Sequence, residues 1–118
     1  NYSNIRCSLG GELIDTGSIK VGSFIGDHTK FGIGTLLNTG ITIGVSCNLF
    51  GGSLIADKEV PSFSWGQTGS YQTYDLDKAL TTIERSMARR QVELSQNQKS
   101  LLTDIHAGKL ALDGAVDL

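Results

Sequence analysis

Broken into sixes, residues 19–60 read IKVGSF IGDHTK FGIGTL LNTGIT IGVSCN LFGGSL IADKEV. Each block opens on a large apolar residue: Ile19, Ile25, Phe31, Leu37, Ile43, Leu49 and Ile55. The chain is 39% apolar, so seven such matches in one register arise by chance about 0.1% of the time. The other positions are ordered too. Position two holds Gly26, Gly32, Asn38 and Gly44, and position five holds Ser23, Thr29, Thr35, Ile41, Cys47 and Ser53.

A period of six fits neither a single helix nor a single strand. It fits a coil of short strands joined by tight turns, in which three hexads make one triangular rung. Position one then points inward and stacks on its equivalents in neighbouring rungs. Position five fills a cramped corner, so it is small. Gly or Asn at position two is expected to supply the left-handed backbone of the turn. The fold class read from the pattern is mainly β: a left-handed parallel β-helix with an N-terminal β-hairpin and two C-terminal α-helices. A sandwich of short strands is the rival, but it has no reason to keep this period.

Outward from the repeat, residues 1–18 read as a β-hairpin insertion standing out from the coil. Ile5 to Leu9 alternates, Gly10-Gly11 turns, and Glu12 to Asp15 returns. Residues 19–60 are the coil, ended by Pro61. Residues 61–74 form an aromatic loop whose Phe63 and Trp65 are expected to pack over the coil's open end. Residues 75–118 hold the helices and a tail. Leu76, Ala79, Leu80, Ile83 and Met87 share one face of the first helix. Ser95 and Gln98 form a capping box for the second, and Gly108 stops it.

Glycine is abundant, 15 of 118 residues against a usual ~7%, and most of it lies in or beside the repeat. A net charge of −2 gives no basic footprint for nucleic acid. No apolar run reaches membrane-spanning length. The start at Asn1 reads as part of a longer protein. Cys7 and Cys47 have no metal-ligand or CxxC spacing, so no metal is expected and a reducing cytoplasm is the natural setting.

The catalytic inventory is thin, and the catalytic residue stays unknown. His28, at hexad position four, is a weak candidate. It reads as outward facing, where an imidazole serves as a general base or binds an acyl-donor amide. A solvated turn residue is the simpler account of it. His106, in the second helix, is more remote still.

The stretch from Ile25 to Val60 resembles the C-terminal left-handed β-helix of the bifunctional sugar-1-phosphate nucleotidylyltransferase/acetyltransferases, of the N-acetylglucosamine-1-phosphate uridyltransferase type. Asp15-Thr16-Gly17, Gly26-Asp27-His28, Asn38-Thr39-Gly40 and Pro61-Ser62-Phe63-Ser64-Trp65-Gly66 look closer to a branch of sugar nucleotidyltransferase-like proteins, as does Met87-Ala88-Arg89-Arg90. The resemblance covers residues 1 to about 106. It implies an N-terminal nucleotidyltransferase domain, a homotrimer built on the coil, a sugar phosphate or nucleotide sugar as substrate, and acetyl-coenzyme A bound between subunits.

Individual residues follow from the resemblance. Asn1 and Tyr2 match a step lining the amino-sugar site. Lys20 matches a lysine near the sugar phosphate, and Ile33 and Gly51 match positions beside the coenzyme. The family's catalytic histidine lies upstream of the Asn-Tyr step. Ser3-Asn4 departs from the family's Asp-Gly, and Ile33 replaces a small polar residue. The function this implies is the β-helix part of a sugar-1-phosphate nucleotidylyltransferase, a transferase, extended to acyl transfer onto an amino-sugar phosphate, with the fragment alone inactive. The alternative is a non-catalytic trimerisation or regulatory domain. Val21, Phe24, Ile33, Leu36 and Leu54, outside the inward set, supply an apolar surface for such a trimer.

Overall fold

The computed structural model describes residues 3–108. A hairpin comes first, of β1 (Arg6–Leu9) and β2 (Glu12–Asp15). Short strands then follow at regular intervals: β3 (Phe24–Ile25), β4 (Lys30–Phe31), β5 (Leu36–Leu37), β6 (Thr42–Ile43), β7 (Asn48–Leu49), β8 (Leu54–Ile55), β9 (Glu59–Val60) and β10 (Ser64–Gly66). A last strand, β11 (Gln72–Thr73), leads to helices α1 (Leu76–Ala88) and α2 (Gln96–His106). The fold is mainly β, with parallel sheets and two helices.

The hexad dictates the pairing. Ile25 lies opposite Ile43, Phe31 opposite Leu49 and Leu37 opposite Ile55, each pair in parallel and 18 residues apart. Three sheets result, β3-β6-β9, β4-β7-β10-β11 and β5-β8. Position one faces inward: Ile43, Leu49 and Ile55 are buried, and Ile41 and Cys47 from position five join them with Val60. Burying each such side chain stabilises by roughly 1.5–3 kcal/mol. Ile19, Ile25 and Phe31 carry the same pattern yet remain exposed. They belong to the first rung of the described coil, whose lower side no other described rung covers.

The repeat does not end at Pro61. Ile43 pairs with Val60 and Leu49 with Gly66, both 17 residues on. The hexad opened by Ile55 has lost one residue, and the coil continues through β10 in a shifted phase. Pro61 sits in a turn, where its carbonyl accepts hydrogen bonds from the Ser64 hydroxyl at 2.6 Å and the Cys47 thiol at 3.1 Å. Residues 67–73 are not all loop, since β11 pairs antiparallel with β10.

Position two is glycine for a different reason from the one expected. The left-handed backbone falls at position four, at His28, Gly34, Gly40, Ser46 and Gly52, and at Phe63 after the phase shift. Gly26, Gly32, Asn38 and Gly44 do not adopt it. Gly26 instead lies where a Cβ would stand 2.6 Å from the Gly44 carbonyl carbon, and a Cβ on Gly44 would strike Ser62. Successive rungs touch backbone to backbone at this turn, and only glycine fits between them.

The hairpin forms as read, with both turn glycines at positive φ as a two-residue turn of this kind requires. It lies back on the coil instead of standing away from it. The Glu59 carboxylate accepts hydrogen bonds from the Ser8 hydroxyl and from the Gly10 and Gly11 amides at 2.7–3.0 Å. Burial raises the Glu59 pKa, but these three bonds outweigh it and hold the carboxyl below its ordinary value.

Asp75 caps α1 by accepting from the Lys78 amide at 3.0 Å, and Ser95 and Gln98 close their reciprocal box on α2. The helices bury Ala79, Ile83 and Leu102 against Phe63. Phe63 therefore seats the helices on the coil instead of covering its end. Tyr71 packs on the coil core, while Trp65 stays 39% exposed on the outer face.

Replacing Gly44 by Ala is expected to destabilise the chain by about 1–3 kcal/mol or more through backbone overlap with Ser62. Gly22→Ala, at a site with open space and no left-handed backbone, is expected to be neutral or to stabilise by up to about 1 kcal/mol. Thermal unfolding of both variants checks the contrast; equal Tm values would contradict the stacking account.

Candidate functional site

Three turns recur in every rung and form three corners of the coil. The first joins the β3 sheet to the β4 sheet, at residues 26–29, 44–47 and 61–63. The second leads to the β5 sheet, at residues 32–35 and 50–53. The third returns to the β3 sheet, at residues 20–23, 38–41 and 56–58. Every sequence-derived candidate among the described residues falls on one of them.

His28 is on the first corner, at φ 63°, a conformation that His adopts more readily than most residues. It is half-buried instead of standing freely outward. It shares a small cleft with Lys30, Ser46 and Tyr74, and with Thr82 and Ile83 of α1. Burial lowers the His28 pKa and the Lys30 ammonium lowers it further, against a smaller opposing pull from Asp27. Lys30 Nζ donates to the His28 carbonyl at 3.2 Å, and burial lowers its pKa as well. Ser46 Oγ is buried beside them without a hydrogen-bond partner.

Ile33 and Gly51 do come together. They occupy equivalent places on the second corner, one rung apart, because β4 and β7 pair 18 residues out of step. Ile33 is fully exposed. The side of Gly51 that would carry a Cβ faces the Gln67 side chain. Lys20 lies exposed at the third corner, where its amide and carbonyl both bond the Ser18 hydroxyl, at 3.2 and 2.9 Å. A groove of about 400 Å³ at this corner is lined by Asn4, Arg6, Asn38, Thr39 and Lys58 among others, and Lys20 is not in its wall. Asn1 and Tyr2 lie outside the described residues. One chain therefore distributes its candidates over three corners and assembles no single site from them.

A concave surface that the sequence reading passed over lies between the outer face of the β10 strand and α1. Trp65, Tyr74 and Lys78 wall two adjoining grooves of about 230 and 430 Å³. The available signal was the polar stripe Lys78, Thr81, Thr82, Arg85 at helical spacing, opposite the apolar stripe that seats the helix.

No group of three His, Cys, Asp or Glu side chains among the described residues is arranged to hold a metal ion. No helix among them is long and apolar enough to cross a membrane. No protein-family model matches this chain, and neither a curated protein nor a solved structure matches it.

The lowered His28 pKa makes a pH prediction. Unfolded His28 takes up a proton near pH 6.5, while the folded form does so only at lower pH. The unfolded state thus binds more protons in that window. Its contribution to stability is full above pH 6.5 and declines as pH falls toward the folded pKa. His28→Asn, which keeps a residue tolerant of the left-handed backbone, should flatten the fall in Tm between pH 6.5 and 5. An unchanged pH profile would show that His28 titrates freely.

Proposed function

We propose that this chain is the left-handed β-helix part of a sugar-1-phosphate nucleotidylyltransferase, and that the coil's work is to assemble the enzyme as a homotrimer. One observation carries the assembly reading. Leu36 lies directly opposite Leu54 across β5 and β8, both on the outer face and 62% and 46% exposed. Phe24, at the same hexad position in the next sheet, is 55% exposed, and Ile33 projects wholly into solvent. Soluble chains rarely leave such residues in contiguous patches. A closed cyclic contact buries them with one repeated interface.

The nucleotidyltransferase identity rests on the resemblance of the hexads and of the Asp-Thr-Gly, Gly-Asp-His, Asn-Thr-Gly and Pro-Ser-Phe-Ser-Trp-Gly steps. It places sugar-nucleotide chemistry in an N-terminal domain of the longer protein. The left-handed sense is supported by the two-residue strands, the 18-residue rungs and the tight corners. Two free thiols, Cys7 and Cys47, both buried, fit a reducing cytoplasm.

A second reading, acyl transfer to an amino-sugar phosphate with acetyl-coenzyme A, is favoured by the shared corner of Ile33 and Gly51. That reading draws its general base from the histidine that the resemblance sets upstream of the Asn1-Tyr2 step, since His28 is half-buried beside α1.

Light scattering on the purified chain tests the assembly. A mass near three times 12.6 kDa is expected, and the double variant Leu36→Lys/Leu54→Lys should shift it toward 12.6 kDa. A wild-type monomer at micromolar concentration would sink the proposal.

A further inference from the structure

The groove between Trp65 and helix α1 contributes nothing to the coil's core or to the outer leucine face. Its walls are nevertheless ordered. Trp65 is the chain's single tryptophan. Its ring is held edge-on by Phe50, with centroids 4.8 Å apart and planes at 74°. The indole is therefore fixed in orientation while 39% of the residue remains exposed. Large aromatic side chains that are both rigid and exposed act as stacking platforms at low entropic cost.

Facing that platform is one stripe of α1. Lys78, Thr81, Thr82 and Arg85 are spaced three, four and seven residues apart and line the larger groove with Asp77, Trp65 and Tyr74. The smaller groove continues past Lys78 along Gln72 and Thr73. The helix turns this stripe toward Trp65 because Ala79 and Ile83, on its other side, are buried against Phe63. Tyr74 braces the wall through its hydroxyl, 3.1 Å from Thr82 Oγ1. Lys78 and Arg85 stand seven residues, about 10 Å, apart along the helix axis, a distance that their long side chains span to reach one phosphate.

The charges decide the ligand class. In the larger groove two cations, Lys78 and Arg85, face one carboxylate, Asp77; the Asp75 carboxylate, the cap of α1, lines only the smaller groove. The ion pair formed by α1 with α2 uses Glu84 and Lys99, at 3.2 Å, and involves neither Lys78 nor Arg85. A neutral saccharide stacked on the tryptophan would make no use of the cationic excess of the larger groove. An aromatic ring with a phosphate suits the set better: the ring on the indole, the phosphate on Lys78 and Arg85.

We propose that the Trp65–Lys78–Arg85 groove binds a nucleoside phosphate, by stacking of the base on Trp65 and pairing of the phosphate with the two cations. The site lies between the β10–β11 edge of the second sheet and α1, apart from the corners discussed above, and does not rest on the sugar nucleotidylyltransferase reading.

The single tryptophan makes the test direct. Adenosine 5′-monophosphate, added to the full chain, should quench Trp65 fluorescence saturably. Adenosine and inorganic phosphate should each bind at least about tenfold more weakly, since each supplies one half of the contact. Lys78→Gln/Arg85→Gln, checked for unchanged thermal unfolding, should weaken the nucleotide by a similar factor and leave adenosine unaffected. The proposal falls if the nucleotide gives no saturable quenching at millimolar concentration. It also falls if adenosine binds as well as its phosphate, or if the double variant responds like the parent.

Discussion

The structure depends on how closely successive rungs approach at the first corner. Gly26 lies against the Gly44 carbonyl and Gly44 against Ser62, with no room for a Cβ at either. That contact sets the rung spacing, and the parallel pairs Ile25–Ile43 and Ile43–Val60 follow from it. It also stacks His28, Ser46 and Phe63, all with left-handed backbone, into a column. The Ser46 amide donates to the Asp27 carbonyl and the Phe63 amide to the Val45 carbonyl, both at 2.9 Å, which ties the column together. Helices α1 and α2 dock on this column, because Phe63 is the large apolar group it presents.

The same column gives His106 its role. Its Nε2 lies 2.9 Å from the Tyr74 carbonyl, and its ring meets Phe63 edge to face at 4.9 Å. Helix α2 is thereby fastened to the segment that enters α1. The opposite flank is fastened by Glu59, whose carboxylate accepts from the amides of the Gly10-Gly11 turn. Lys58 adds a bond from Nζ to the Arg6 carbonyl at 3.0 Å. Two neighbouring residues of opposite charge thus hold the hairpin.

The candidate residues are divided in space. The corners carry the residues that the family resemblance singled out, yet His28 is half-buried beside α1 while Ile33 and Lys20 stand in solvent on separate corners. In the proposed trimer, corners of neighbouring chains would meet, so the outer apolar residues and the distributed candidates support the same oligomeric reading. The tryptophan groove differs. It is complete within one chain, built by the return of β11 alongside β10 and by the helix that follows.

The period of six determined much by itself. Large residues every sixth place cannot all be buried unless the chain returns every 18, so parallel sheets and the inward set Ile43, Leu49 and Ile55 followed from spacing alone. The hairpin and the cap of the second helix were equally legible, because Gly10-Gly11 and Ser95-Gln98 act on backbone groups a few residues away. Tertiary structure decided the rest. Whether a glycine is needed for its φ or for its missing Cβ depends on the neighbouring rung, so position two was read for the wrong reason. The one-residue loss after Ile55 shows only in the pairing of β9 and β10. Whether His28 meets solvent or a helix depends on where Phe63, 35 residues later, anchors α1. Local chemistry can be read along the chain; proximity between rungs and helices arises only when they pack.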